Sequence, residues 1–245
     1  MTHILWDWNG TLLDDTQAAL DTLNIMLARR RGRPIEMGYY RDHFAFPVKP
    51  FYKAIGVCLE NEDWDALAQE YHDTYAEQPK RLNPETFAAL DYAKSMGCRQ
   101  SIISALRQDL LDGITEELGV AKYMDFIYGV DNLDGFGKID RARELVSAIT
   151  HSSTHPLSHS STHPLSHSST HPLSHSSTHP LSHSSTIVLI GDSLHDKEVA
   201  DALGVGCVLC GQGSHAAWRL AAVAPTGETL TDAVRMALYG KGGCA

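Results

Sequence analysis

A few polar side chains with the makings of a reaction centre lie far apart in the chain. Asp7, Asn9, Gly10 and Thr11 fall at the end of the apolar stretch His3-Ile-Leu-Trp-Asp-Trp8, and Asp192 and Asp196 follow Ile187-Val-Leu-Ile190. Ser104 closes the short run Ser101-Ile-Ile-Ser104, and Lys138 ends Gly135-Phe-Gly-Lys138. Two carboxylates on separate strand ends, Asp7 and Asp192, suit a hard divalent cation. Mg²⁺ takes oxygen ligands, usually one or two carboxylates plus a substrate phosphate. An Asp-x-Asn-Gly-Thr loop can turn backbone N–H groups toward an anion. Asp7 can also act as a nucleophile, because a carboxylate can form an acyl phosphate. Its charge repels phosphate unless cations offset it, and Mg²⁺ with Lys138 would do so. Ser104 offers a small hydroxyl to a phosphoryl oxygen.

These residues need a scaffold that brings strand ends together. The pattern predicts short apolar strands at 3–8, 101–104, 126–128, 187–190 and 206–210. Helices are expected at about 16–31, 85–96, 106–118, 139–149 and 194–203, with Asp14, Asp15 and Thr16 as N-cap chemistry for the first. Strands alternating with helices indicate an α/β fold, a doubly wound parallel sheet covered on both faces. Ligands in such sheets bind beyond the carboxyl ends of the strands, where the polar groups above fall. Residues 16–81 contain no clean strand and read as a helical insertion, a small cap. The core would then be 1–15 and 82–245.

Composition narrows the field. The 245 residues carry a formal charge of −10, which argues against a nucleic-acid surface. No apolar run approaches the ~20 residues of a membrane helix. No secretory signal is read at the N-terminus, and five cysteines do not make a disulfide scaffold, so a cytoplasmic protein is expected. Cys207 and Cys210 sit three apart on a predicted strand, pointing to opposite faces, and are not read as a metal pair.

The same residues carry a resemblance. Asp7-Trp-Asn-Gly-Thr-Leu-Leu-Asp14, Ser104, Lys138 and Gly191-Asp192-Ser-Leu-His-Asp196 resemble, in order, the four motifs of the haloacid dehalogenase-like superfamily, of the phosphoglycolate phosphatase type. The resemblance covers nearly the whole chain outside 151–186. It implies that Asp7 is the nucleophile and that Ser104 and Lys138 are catalytic. It implies that Asp192 and Asp196 hold Mg²⁺ with Asp7 and the backbone carbonyl at Asn9. Gly10, Thr11, Ser104 and Ala105 would then lie against the phosphate. The insertion corresponds to the family's helical cap.

One residue departs from the pattern. The family's phosphatases usually carry Asp two residues after the nucleophile, as general acid and then general base. Here it is Asn9, and an amide cannot donate and recover a proton at neutral pH. General acid–base help is typically worth ~10²–10⁴-fold. The expected function is Mg²⁺-dependent hydrolysis of a small, phosphoglycolate-like phosphomonoester, slowed or restricted to good leaving groups. A phosphonatase, a phosphomutase or a non-catalytic phospho-ligand binder is the alternative. Asn9 disfavours the mutase, no lysine clearly marks a Schiff base, and the retained acids disfavour dehalogenation. The expected partner is a small phosphorylated metabolite, with the chain a monomer or homodimer.

Two further segments carry expectations. Arg41 and Lys49 flank the aromatic loop His43-Phe-Ala-Phe-Pro-Val48 and could meet a second anionic group on the substrate. Arg29, Arg30, Arg31 and Arg33 read as a solvated helix end. Residues 151–186 repeat HSSTHPLS and hold nine of the fourteen histidines. Regular prolines oppose one long helix, so an extended insert is expected, with weak transition-metal binding as the rival reading.

Overall fold

The computed structural model describes residues 1–132, 137–152 and 186–240. In chain order they form β1 (Thr2–Trp6), β2 (Leu13–Asp14), α1 (Thr16–Arg29), α2 (Met37–His43), α3 (Val48–Ala54), α4 (Trp64–Ala76) and β3 (Arg81–Leu82). There follow α5 (Thr86–Ser95), β4 (Arg99–Arg107), α6 (Gln108–Glu117), β5 (Phe126–Val130) and α7 (Lys138–Ser152). The chain then forms β6 (Thr186–Gly191), α8 (Leu194–Leu203), β7 (Gly206–Cys210), α9 (Ala217–Ala221), β8 (Thr226–Gly227) and α10 (Leu230–Tyr239).

Six strands make one parallel sheet in the order β5-β4-β1-β6-β7-β8. Alternation along each strand decides which helices cover which face. Ile4, Trp6, Ile102, Val188 and Ile190 pack with α5 and α10 on one side. Leu5, Ile103 and Leu189 pack with α7 and α8 on the other. Every second residue is apolar on both faces, so the sheet must be covered twice, as the doubly wound reading requires. β1 lies at the centre, flanked by β4 and β6, so the chain reverses direction around it and opens a crevice at its carboxyl end.

Helices α1 to α4 enclose a separate apolar cluster in which Leu20, Leu23 and Leu27 meet Tyr40, Phe51, Tyr52 and Leu67. A two-residue ribbon, β2 with β3, holds the chain where it enters and leaves these helices. Arg30 bridges Glu62 and Glu70 at 2.6–2.7 Å and is largely withdrawn from solvent, tying the end of α1 to α4, whereas Arg29, which also meets Glu70, Arg31 and Arg33 are exposed, as expected of a solvated helix end.

Several boundaries differ from expectation. β1 stops at Trp6, and Trp8 is buried in the turn that follows. β4 extends to Arg107 with an irregular register between Ile103 and Arg107, so Ser104 lies inside the strand, where the pairing is interrupted, instead of closing it. α1 ends at Arg29, and Arg31 takes a left-handed φ of 57°. α7 runs on through His151 and Ser152, and Thr186 already pairs in β6. The rest of the expected 151–186 insert lies outside the described residues. Its attachment points sit at the sheet end remote from Asp7, because Thr186 pairs with Thr2. No helix among the described residues is long and apolar enough to cross a membrane.

Candidate active site

Asp7 follows the central strand, and its N–H is fixed by the Ile190 carbonyl of β6 at 2.9 Å. That bond sets the nucleophile candidate beside Asp192, which follows β6. α7 begins at Lys138 and delivers its ammonium between two acids: 2.5 Å from Asp7 Oδ1 and 2.6 Å from Asp196 Oδ1. Asp7, Asp192 and Asp196 place carboxylate oxygens within 4.8 Å of one another, and all three residues are buried. Thr11 Oγ1 donates toward Asp7 Oδ2 at 3.3 Å and lies 3.5 Å from Asp192 Oδ1.

Local sequence explains how Asp192 and Asp196 are held. Ser193 and Asp196 form a capping box on α8, and Asp196 Oδ2 accepts from Ser193 Oγ at 2.7 Å and from the Ser193 and Asp192 N–H groups. Asp192 Oδ2 accepts from the Ser214 N–H at 2.5 Å. Its carboxylate is so closely enclosed that a Cβ on Gly10 would lie 2.2 Å from Oδ2, and one on Gly213 2.1 Å. Gly10 also has a φ of +76°, so both space and backbone demand glycine there.

The electrostatics follow from burying three acids around one lysine. Burial raises Asp7 to about 7, and the charge of Asp196 adds to the rise, against the pull of Lys138. Asp192 is raised by burial and then by the charges of Asp7 and Asp196. Asp196 goes the other way: burial opposes its charge, but the Lys138 charge and hydrogen bonds from Lys138 and Ser193 lower it. Lys138 is raised, because Asp196 and Asp7 outweigh its own burial. With all four ionised the cluster carries a surplus of two negative charges, which matches a divalent cation.

The residue two after Asp7 is where the structure adds most. Asn9 Nδ2 donates to Asp15 Oδ2 at 2.7 Å and to the Tyr75 hydroxyl at 3.2 Å. Asp15 Oδ1 accepts from the Gly10 N–H at 2.7 Å, and the Tyr75 hydroxyl donates to Oδ2. Asp15, one of the three residues expected as N-cap chemistry, stands at the N-cap position of α1, but its side chain makes no cap bond and is buried in the site. Ser104 Oγ accepts from the Leu106 N–H at 3.0 Å and lies 3.5 Å from Asn9 Oδ1. The sequence reading missed Asp15, Tyr75 and Ser214. Two adjacent acids before a helix that needs only one cap were the available signal.

Above these groups lies a cavity of about 180 Å³, lined from below by Asp7, Asn9, Ala105, Lys138 and Asp192 and from the cap by aromatic side chains. Arg41 and Lys49 are not among its lining residues. The Arg41 guanidinium donates to the Gly213 and Gln212 carbonyls at 3.0 and 2.9 Å, and the Lys49 ammonium sits 4.3 Å above the Trp64 ring. Arg41 thus fastens α2 to the loop carrying Ser214, where the Ala216 N–H also meets the Arg41 carbonyl. Cys207 and Cys210 are both raised by burial, Cys207 to about 12, so neither is an activated thiol.

Beside the site, His215 Nδ1 accepts from the Leu194 N–H at the start of α8. Burial lowers His215 to about 4, helped by the Arg219 charge, and burial likewise lowers His3 to about 4. Both depart from an ordinary value of 6.5, so the unfolded chain binds more protons between about 6.5 and 4. Stability held above that window is therefore lost as the pH falls through it. The melting temperature is expected to drop between about pH 7 and pH 4.5. His215→Asn, whose amide oxygen can take the Leu194 N–H, is expected to flatten that drop. An equally steep drop would contradict the assignment.

A family model described as haloacid dehalogenase-like hydrolase matches residues 4–138. The chain belongs to that family. Solved structures share its fold over almost the whole chain. A protein described as a predicted phosphatase from Clostridium acetobutylicum has 16% identity and a TM-score of 0.69, covering 97% of this chain and 98% of that one. A phosphoglycolate phosphatase candidate from Lactobacillus plantarum has 18% identity and a TM-score of 0.67, covering 96% and 100%. Protein Tyrosine Kinase A of Mycobacterium tuberculosis has 18% identity and a TM-score of 0.68, covering 97% and 98%. At these identities the likeness carries the fold, and the differing names show why it carries no more. No curated protein matches the chain.

Proposed function

We propose that this chain is a Mg²⁺-dependent phosphatase that cleaves a small phosphomonoester through an aspartyl phosphate on Asp7. The observation that carries this reading is the buried set Asp7, Asp192 and Asp196 around the single ammonium of Lys138. Asp7, Asp192, Asp196 and the Asn9 carbonyl are the groups that would hold the metal, with Asp196 also orienting Lys138. Mg²⁺ bound there would neutralise phosphate and nucleophile charge during attack. Asp7 supplies the attacking oxygen, Lys138 keeps it ionised and oriented, and Ser104 and the Gly10–Thr11 turn steer the phosphoryl oxygens. The cap shuts out bulk water.

Phosphate release from acetyl phosphate and a panel of phosphomonoesters, with Mg²⁺ and with a chelator, tests the reading. Multiple turnover that the chelator removes is expected. Phosphorylated ligands that bind without turnover would favour the non-catalytic reading that Asn9 raises. Metal binding should also release protons, because raised carboxyls must ionise to become ligands. Affinity for Mg²⁺ is expected to fall steadily from about pH 8 to about pH 5. Calorimetry in buffers of different ionisation enthalpy counts those protons, and a count of zero would contradict the assigned ligands.

A further inference from the structure

We propose that the substrate is a small aryl phosphomonoester, with its phosphate on a phenolic oxygen and no second anionic group. The proposal rests on the phosphatase reading above and follows from two independent features of the cavity. The first is its lining. Beyond the Asp7 end, the cap contributes Phe44, Phe46, Tyr52, Trp64 and Tyr71. Among the described residues, Lys138 is the cavity's one lysine or arginine, and it is already engaged by Asp7 and Asp196. The cap's Arg41 is spent on two carbonyls and Arg30 on Glu62 and Glu70. Of the lining histidines, His195 meets Glu198, and His72 stands edge-on to Tyr71. A carboxylate or second phosphate would be buried here without a counter-charge, which is costly. A ring would not: about 180 Å³ is available, and an apolar cavity of roughly 150 Å³ already admits benzene.

The second feature is the leaving-group side. Asn9 lines the cavity beside Asp7, and its amide cannot give up and recover a proton at neutral pH. Its neighbour Asp15 accepts from Asn9, Gly10 and Tyr75 and so faces donors on every side. Neither of these two residues supplies a proton, and in this proposal the leaving oxygen departs as an anion. A phenolic oxygen, with a pKa of about 10, can do so. An alkoxide is about as basic as hydroxide, whose conjugate acid has a pKa of about 15.7. In the step proposed, an Asp7 oxygen bonds to phosphorus, and the bond from phosphorus to the aryl oxygen breaks with its electron pair on the phenolate. The phenolate takes its proton from solvent. Water then adds to phosphorus, the bond to Asp7 breaks back to a carboxylate, and the water's proton leaves with phosphate.

The test pairs binding with turnover on the Mg²⁺-loaded protein. Phenylphosphonate and phosphonoacetate, which cannot be hydrolysed, are titrated by calorimetry. Phenyl phosphate, benzyl phosphate, phosphoglycolate and acetyl phosphate are assayed for phosphate release. Phenylphosphonate is expected to bind about tenfold or more tightly than phosphonoacetate. Phenyl phosphate is expected to exceed benzyl phosphate in kcat/KM by about 10²-fold, since both carry a ring and only one leaves unaided. Turnover of acetyl phosphate with phosphoglycolate preferred over phenyl phosphate overturns the substrate class and leaves the phosphatase reading standing. Absence of turnover on every ester and on acetyl phosphate overturns the phosphatase reading. The phosphonate pair then still decides what the cavity accepts, and tighter phosphonoacetate overturns this proposal.

Discussion

Asp7→Asn is expected to lower phosphate release by about four orders of magnitude or more while raising the melting temperature of the metal-free protein. The two effects have one cause. Asp7 is the proposed nucleophile, and an amide cannot form the acyl phosphate. The same carboxylate is held against Asp196 and Asp192 in a buried cluster with one lysine. Its folded pKa of about 7 lies above the ordinary 3.8. Ionising it therefore opposes folding, increasingly as the pH rises through that window. Asparagine keeps the shape, still accepts from Lys138 and buries no charge. Relief of about 1–4 kcal/mol is the expected scale. At about 2–4 °C per kcal/mol for a chain of this size, calorimetry at mildly alkaline pH resolves it. A variant that loses both activity and stability would show that Asp7 is a structural acid.

Exchanging two neighbours should change which esters are cleaved. Asn9→Asp combined with Asp15→Asn moves the carboxyl across the 2.7 Å hydrogen bond that now joins the pair. Charge, volume and the bond between the two positions are conserved. The carboxyl at position 9 then stands beside the leaving group with an amide donor behind it. The double variant is expected to raise kcat/KM on benzyl phosphate by about 10²-fold, the lower range of general acid–base help, and on phenyl phosphate by less than about tenfold. Asn9→Asp alone should gain less, because it sets two carboxylates against each other in a buried place. Equal changes on both esters would mean that proton transfer does not limit the wild-type reaction.

The parts of this account that were legible in the sequence are those encoded locally. Continuous apolar and β-branched runs marked β1, β6 and β7, and the first two are followed by acids, so Asp7 and Asp192 could be set on one sheet edge from the sequence alone. Lys138 could be placed because a glycine-flanked loop leads into an apolar helical stripe. What escaped depends on partners distant in the chain. Nothing near Arg41 announces that it will meet the carbonyls of residues 212 and 213, so a free cation and a cap fastener look alike in sequence. Asp15 was grouped with Asp14 and Thr16 as N-cap chemistry because the rule is local, whereas its side-chain partners include Tyr75 sixty residues away. The ribbon of β2 and β3 is too short for any periodicity. α10 is different: Leu230, Ala233 and Val234 form an apolar stripe that covers the sheet, and the pattern was present to be read.

The central claim is the covalent role of Asp7, and trapping the intermediate tests it most directly. The protein is mixed with acetyl phosphate and Mg²⁺, quenched in acid during turnover, digested and analysed by mass spectrometry. One phosphoryl group is expected on the peptide carrying Asp7, formed at least as fast as phosphate is released and absent from Asp7→Asn. Rapid phosphate release with no phosphoryl group on that peptide, or release undiminished in Asp7→Asn, would contradict it.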